Sequence, residues 1–287
     1  MFSSDQYELL DIGAGRKLER FGRYILDRPA PAAAEDARQQ PASWPDADAH
    51  FARTGTGRGV WSCRADMPKA WRIRHGAMVF ELRCTDSGAV GVYPEQADNW
   101  DWIAKQIGSA NRRLKILNLF AYSGGSTLAA AAAGAHVVHV DAARAAVNWA
   151  RHNARLTGLE TAPIRWITED ARKFANREVR RGAEYDAVIL DPPTYGHGPK
   201  SESWKFDQHL DDLLHAVRSL TRTRRTFTLL TCHAPGVGTG ELKERLAHAA
   251  CETSPADVFA QPLVLSTPAG RRLHSGVAAR WPGRRAR

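Results

Sequence analysis

Lys115-Ile116-Leu117-Asn118-Leu119-Phe120-Ala121-Tyr122-Ser123-Gly124-Gly125-Ser126 is the stretch from which the fold is read. An apolar run, Lys115–Phe120, predicts a buried strand. It meets a glycine-containing loop, and a helix is expected over Ser126–Ala133. Glycine lets the backbone turn tightly and approach a ligand closely. Ser126 or Thr127 can cap the helix. A second strand, His136–Val140, ends in Asp141. A carboxylate at that tip can accept hydrogen bonds from both hydroxyls of a ribose. A third acid, Asp170, follows a third strand, in the place where an adenine amino group needs an acceptor. Alone, Asp170 reads as a helix cap; in register with Asp141 it favours a nucleoside ligand. The loop reads AYSGGS, not GxGxxG, and lacks the spacing that lays a pyrophosphate on a helix N-terminus. A NAD(P) oxidoreductase is therefore disfavoured.

Outward from this stretch, apolar runs of five or six residues alternate with helical patterns of ten to fifteen. That is the signature of a parallel sheet wound by crossover helices. The expected strands are Lys115–Phe120, His136–Val140, Ile164–Ile167, Tyr185–Leu190, Arg225–Thr231, Val258–Leu265 and Val277–Trp281. The expected helices are Ser126–Ala133, Ala143–Leu156, Ala171–Arg181, Phe206–Ser219 and Gly240–Ala249. With no helix evident between the last two strands, the sheet should end in an antiparallel hairpin.

Ligands of open α/β sheets bind beyond the C-terminal ends of the strands. There the fourth strand runs into Asp191-Pro192-Pro193-Thr194-Tyr195. Two prolines fix a rigid, extended turn. It can present Asp191, Thr194, Tyr195 and backbone carbonyls to a planar base. Such a turn in isolation is common; its place after the cofactor strands makes it a candidate reaction centre. Lys200, Trp204 and Lys205 follow in a glycine-rich, basic and aromatic loop, suited to stacking on a nucleotide and touching phosphate. The other reading of Trp204 is an anchor packing on the domain. The fifth strand ends Thr231-Cys232-His233, which puts Cys232 at the same edge as Asp191. A thiolate there would be a candidate nucleophile toward a pyrimidine ring; a small buried filler is the plain alternative. Cys63, Cys84 and Cys251 read as packing residues. The histidines show no metal-ligand spacing, and no metal is expected.

The front of the chain has a different texture. Tyr7–Pro29 consists of short alternating runs punctuated by Gly13, Gly15 and Gly22. Leu10-Asp11-Ile12-Gly13-Ala14-Gly15 imitates a cofactor loop, but no crossover helix fits after it, so it reads as a turn between two strands. Residues 29–48, rich in Pro, Ala, Asp and Gln, suggest a mobile linker. Strands are expected at Val60–Cys63, Trp71–Arg74 and Met78–Cys84, the last in a hairpin with Ala89–Tyr93 around Asp86-Ser87-Gly88. Residues 1–100 should thus form a small β-rich domain, and residues 101–287 the domain with the doubly wound sheet.

The 287 residues carry a net charge of +9, which attracts polyanions and makes a nucleic-acid partner a fair expectation. Arg280, Arg284, Arg285 and Arg287 read as a solvated basic tail. No apolar run approaches the roughly 18–20 residues of a membrane span. Neither an export signal nor a disulfide pattern is evident, so the expected setting is cytoplasmic, with reduced thiols.

The segments ILNLFAYSGG (116–125), HVDAARAAVNWARHNARLTGL (139–159), DPPTYGHGPK (191–200) and GVYPEQADNW (91–100) resemble the S-adenosylmethionine (SAM)-dependent methyltransferases related to bacterial 23S ribosomal RNA cytosine-C5 methyltransferases. YELLDIGAGRKLERFGRYILDRP (7–29) is similar to a shorter subgroup. The resemblance implies a Rossmann-like, seven-stranded class I methyltransferase sheet with SAM as cofactor and RNA, ribosomal above all, as substrate. It implies that Asn118, Phe120, Ala121, Tyr122, Ser123, Gly124 and Gly125 wrap the methionine part of SAM. Asp141 with Ala142 would hold the ribose, Asp170 with Ala171 the adenine, and Glu95 with Gln96 would help close the pocket. Asp191 would bond the target base beside Pro192 and Pro193, and Cys232 would be the covalent nucleophile. Two departures stand out. No RNA-binding PUA domain is evident, and Thr231-Cys232-His233 replaces the Ser-Cys-Ser type of motif. The alternatives kept open are an amino-group methyltransferase using the Asp191–Tyr195 turn, and a non-catalytic SAM- or RNA-binding module.

Overall fold

The computed structural model describes residues 1–55, 57–198 and 202–282. The chain divides into two compact units, Met1–Asp98 with Val264–Ser275, and Asn99–Leu263 with Gly276 onward.

In the first unit, β1 (Tyr7–Gly13), β2 (Arg16–Phe21), β3 (Tyr24–Pro29), β4 (Ala49–Gly55) and β5 (Arg58–Cys63) form one sheet in chain order. All neighbours are antiparallel except β3 and β4. Gly13-Ala14-Gly15 is the turn joining β1 to β2, with positive φ at all three residues. The glycine-loop imitation is thus a hairpin connection, as its sequence context implies. A second hairpin pairs β6 (Trp71–His75) with β7 (Met78–Leu82). This corrects the expected partnership of the Met78 strand: Gly76, at φ +55°, makes the tighter turn. The Asp86-Ser87-Gly88 turn is flanked by the rungs Arg83 N to Val90 O and Thr85 N to Ala89 O.

The 29–48 segment, expected to be a loose linker, is tied down. Trp44 is buried with Leu18 and Ala47, and its indole donates to Asp11 Oδ2 at 2.9 Å. Arg271 donates to Asp11 Oδ1 and to Asp36 Oδ1, each at 3.0 Å, and to the Ile12 carbonyl at 2.8 Å. Val264–Ser275 groups with the front of the chain, so the split is not the contiguous one read from sequence.

Residues 97–108 form α1 (Ala97–Gly108), a helix the sequence reading left out. Its buried residues Trp100, Ile103 and Ile107 stand at i, i+3 and i+7, the spacing of one helical face. The second unit then runs β8 (Lys115–Leu119), α2 (Gly125–Ala132), β9 (His136–Asp141), α3 (Arg144–Leu156), β10 (Ile164–Thr168), α4 (Ala171–Arg180) and β11 (Ala187–Leu190). A short hairpin, β12 (Tyr195–His197) with β13 (Ser203–Lys205), follows. After it come α5 (Phe206–Thr221), β14 (Phe227–Cys232), α6 (Thr239–Arg245), β15 (Phe259–Ser266) and β16 (Arg272–Trp281). The seven-stranded sheet has the order β10-β9-β8-β11-β14-β16-β15. Its first five strands are parallel, and β16 enters antiparallel to β14. The expected doubly wound sheet with a terminal reversal is what the chain forms. Because strand order reverses between β8 and β11, the helices following these strands leave on opposite faces. A crevice at their C-terminal ends results.

One face of this sheet carries Leu117, Leu119, Val188, Leu190, Leu230 and Cys232, packed against Leu210, Leu214 and Val217 of α5 and Leu242 of α6. Among the described residues, no helix is long and apolar enough to cross a membrane.

Candidate active site

The loop after β8 is the most strained part of the sheet edge. Phe120 and Tyr122 adopt φ of +57° and +46°, a left-handed backbone that non-glycine residues rarely take. Two anchors hold it. Ala121 N donates to Val140 O at 3.1 Å, and Tyr122 N donates to Asp141 Oδ2 at 2.8 Å. Asp141 Oδ1 takes the amide of Ala143, also at 2.8 Å. Burial raises the Asp141 carboxyl above its usual range despite these two amides. Each oxygen keeps a second lone pair, so the carboxylate fits two ribose hydroxyls while it shapes the loop.

The remaining loop residues sort by what they touch. Asn118 of β8 is buried and donates to Thr127 Oγ1 of α2 at 2.9 Å. Ser123 is buried, and its carbonyl accepts from Asn153. Gly124, at φ +95°, is the N-cap of α2. A Cβ on Gly125 would lie 2.5 Å from the Trp100 ring. The second glycine is therefore required by packing against α1.

Asp170 caps α4, accepting from Lys173 N at 2.9 Å. Only 4% of it is exposed, and its neighbour Ala171 is equally buried. One of its oxygens is therefore engaged in capping, the role its position suggests when taken alone. Glu95 and Gln96 lie in the first unit, in the 3₁₀ turn Pro94–Gln96. Gln96 is buried. Glu95 lines a cavity of about 190 Å³ with Phe2, Tyr7, Leu9 and Leu265.

At the end of β11, the Asp191 side chain is 31% exposed. Its Oδ1 accepts a short hydrogen bond from Thr231 Oγ1 and lies 3.2 Å from His233 Nε2. Pro193, Thr194 and Tyr195 are exposed, Tyr195 to 54%. Pro192 is buried and Lys205 exposed. Lys200 lies outside the described residues.

Two expected participants are placed differently. Trp204 is 2% exposed. Its indole donates to the Pro193 carbonyl at 2.6 Å, and its ring meets Phe120 edge-on, centroids 4.8 Å apart. It braces the proline turn and offers no face to a base. Cys232 alternates out of the site: successive strand residues point to opposite faces. Thr231 and His233 therefore share the Asp191 side while the thiol joins the core. Fully buried, the thiol is pushed up to about 11 by desolvation, with Asp191 adding to the effect. His233, to which the sequence reading gave no role, is brought to Asp191 together with Thr231. The two-residue alternation was the signal that could have found it. Arg280 is buried, its guanidinium on Asn99 Oδ1; Arg284, Arg285 and Arg287 lie outside the described residues.

Comparison with known proteins accords with this arrangement. A family model described as S-adenosylmethionine-dependent methyltransferase matches residues 56–263. The crystal structure of a SAM-dependent methyltransferase from Agrobacterium tumefaciens superposes with a TM-score of 0.89 at 37% identity, covering 97% of this chain and 91% of that one. A SAM-dependent methyltransferase structure from Streptococcus mutans shares the fold at 13% identity, with a TM-score of 0.74 over 96% of this chain and 74% of that one. Ribosomal RNA large subunit methyltransferase I of Aeromonas salmonicida is 37% identical over 106 residues, 37% of this chain and 26% of that protein. Ribosomal RNA large subunit methyltransferase K/L of Colwellia psychrerythraea is 29% identical over 157 residues, 53% of this chain and 21% of that protein. The matched regions thus span about a quarter or less of these two relatives. With the matched family model taking in most of the chain, and with a relative of 37% identity along nearly its whole length, this chain belongs to the S-adenosylmethionine-dependent methyltransferase family.

Proposed function

We propose that the chain transfers the methyl group of SAM to a base nitrogen of RNA, with ribosomal RNA as the substrate class. The observation that carries this reading is the pairing at the sheet edge. Asp191 is partly exposed beside Thr231 and His233, whereas Cys232 is turned into the core as a thiol. The similarity to large-subunit ribosomal RNA methyltransferases and the net charge of +9 support RNA, since phosphate neutralisation dominates nucleic-acid affinity.

SAM supplies an electrophilic methyl on a sulfonium. Asp141 would hold its ribose hydroxyls, and the strained loop Phe120–Tyr122 would lie against its methionine part. Asp170, with one oxygen on its own helix, would offer the other to adenine. Asp191 accepts the N–H of the base, which directs the nitrogen lone pair away from the carboxylate. Pro192 and Pro193 remove two amide donors that would compete for the base, and Tyr195 offers an exposed ring for stacking.

Cytosine C5 methylation through Cys232 is the second reading, favoured by the resemblance to the C5 family. One experiment separates the two: tritiated methyl transfer from SAM to ribosomal RNA stripped of its modifications, with wild type, Cys232→Ser and Asp191→Ala. The nitrogen reading expects Cys232→Ser to keep activity within about threefold, and Asp191→Ala to lose at least about 100-fold. Label on cytosine C5 that vanishes in Cys232→Ser would overturn it. SAM binding measured by calorimetry in each variant separates loss of chemistry from loss of fold.

A further inference from the structure

We propose that Cys63 and Cys84 form a redox-sensitive modification site, a pair of thiols that a hydroperoxide converts to a disulfide within the first unit. The inference goes beyond methyl transfer and stands whichever base is methylated. Backbone register places the pair. Between β4 and β5, Phe51 lies opposite Trp61 and Ala49 opposite Cys63. Side chains two apart on a strand share a face, so Cys63 projects on the face that carries Trp61 and Phe51. The segment around Cys84 lies across that face. The Trp61 indole donates to the Thr85 carbonyl at 2.8 Å, and Gly59 N donates to Asp86 O, also at 2.8 Å. A Cβ on Gly88 would lie 2.7 Å from the Phe51 ring, so the turn packs directly on β4. Arg28 donates to the Gly88 carbonyl at 3.1 Å. These contacts bring Cys84, the neighbour of Thr85, to Cys63, which acts on its thiol by charge and by side-chain hydrogen bonding.

The two thiols differ in access. Cys63 is exposed and Cys84 is half-buried, whereas Cys232 and Cys251, in the second unit, are buried. Exposure of Cys63 corrects its reading as a packing residue. Burial first, and then Cys63, push the Cys84 thiol up to about 12, against the opposing pull of the Arg28 guanidinium. Cys84 therefore keeps its proton while Cys63 meets the oxidant, and the thiolate is the reacting form. The Cys63 sulfur attacks one oxygen of the hydroperoxide. A sulfur–oxygen bond forms, the oxygen–oxygen bond breaks, and the departing alkoxide takes up the proton that Cys63 lost. The resulting sulfenic acid is neutral, so the charge that helped hold the proton on Cys84 is gone. Cys84 then attacks the Cys63 sulfur. The sulfur–sulfur bond forms, and hydroxide leaves with the Cys84 proton as water. Two thiols and one hydroperoxide thus give one disulfide, one alcohol and one water. The sulfurs lose two electrons and the peroxide bond gains them. The product staples the turn after β7 to the end of β5.

The test is oxidation of the fully reduced chain by equimolar hydrogen peroxide in wild type, Cys63→Ser and Cys84→Ser. Free thiols are counted after denaturation, and linked peptides are identified by mass spectrometry. Wild type should fall from four free thiols to two, with the Cys63 peptide joined to the Cys84 peptide of the same chain. Cys84→Ser should stop at a sulfenic acid on Cys63, which dimedone traps. Cys63→Ser should keep every remaining thiol. A second readout needs no oxidant: phenylarsine oxide, whose arsenic bridges two adjacent thiols. The reduced wild type should bind it, and each variant should bind at least about 10-fold more weakly, because the second thiol no longer acts at high effective concentration. Cys63 is exposed, so Cys63→Ser tests the pair with the fold intact, as circular dichroism would verify. Four free thiols in wild type after peroxide overturn the proposal. So does a disulfide that joins two chains through Cys63, or arsenical binding that Cys63→Ser leaves unchanged.

Discussion

At the scale of single residues, the same residue type does different work according to what its backbone position makes it touch. Asp141 takes two backbone amides of and beside the loop after β8, Asp170 caps a helix, and Asp191, partly exposed at the end of β11, meets Thr231 and His233. A fourth, Asp186, lies fully buried at the opposite end of β11, held by Arg112, Arg224 and Lys115 N. These contacts outweigh its desolvation and keep its pKa low. Sequence alone ranks such acids by strand position, and only the partners separate ligand-facing from structural ones. Gly125 makes the same point. Gly125→Ala should destabilise the chain by about 1–3 kcal/mol through overpacking against Trp100. Urea unfolding would measure it. A second change, Trp100→Leu, should recover much of the loss, because it removes the ring atoms that the methyl meets.

At the scale of elements, the β12–β13 hairpin shows how a loop is made rigid. Trp204 in β13 reaches back to the Pro193 carbonyl, and the Phe206 amide donates to Thr194 O at 3.0 Å. The proline turn is thereby clamped from below by α5 and its leading hairpin. Trp204→Phe keeps the ring but strands a carbonyl, at a cost of about 1–3 kcal/mol. It should lower kcat/KM for RNA while leaving SAM affinity intact; calorimetry and steady-state kinetics together check this. A parallel loss of SAM affinity would show that Trp204 acts instead through Phe120. Strand and helix identities were legible because period and punctuation are local properties. Most boundaries moved by one or two residues where fraying decides them, but the last strand begins at Arg272 rather than Val277 and α6 ends at Arg245 rather than Ala249. Helix α1 went unread although Trp100, Ile103 and Ile107 marked its face, and the Met78 strand found Trp71–His75 as its partner because Gly76 closes the shorter loop.

At the scale of the whole molecule, each unit contains a buried ionisable group with its own acid sensitivity. In the second unit, His139 is fully buried, its Nδ1 2.9 Å from Thr127 Oγ1, and desolvation lowers its pKa to about 3. Its unfolded value of 6.5 lies above the folded one, so the unfolded chain takes up the proton first. Stability is therefore complete above pH 6.5 and falls toward pH 3, by up to about 1.4 kcal/mol per pH unit. In the first unit, burial raises Glu19, but Arg28 and Lys17 outweigh it, and its pKa is lowered from 4.5. That contribution is present above pH 4.5 and lost below it, as the folded carboxylate protonates. Thermal melts from pH 8 to 3 should show a loss beginning near pH 6.5 that His139→Phe diminishes. A further loss should begin only below pH 4.5. Glu19→Gln should cost about 3–5 kcal/mol at neutral pH, because Arg28 is left buried without its charge partner. A pH-independent melt between 7 and 5 would refute the His139 account.

By itself, the sequence determined the doubly wound sheet and its terminal reversal. These follow from hydrophobic period and from the order of strand-ending residues, which survive any detail of packing. It placed Asp141 and Asp191 at strand tips, because those are positions that a period reveals. Tertiary structure decided which of Thr231, Cys232 and His233 faces Asp191, since a shift of one residue along a strand exchanges its faces. It decided that Trp204 braces the proline turn and that residues 29–48 are anchored through Trp44. Those outcomes depend on partners distant in the chain, Asp11 and Arg271 among them, and no local pattern encodes which distant group will arrive.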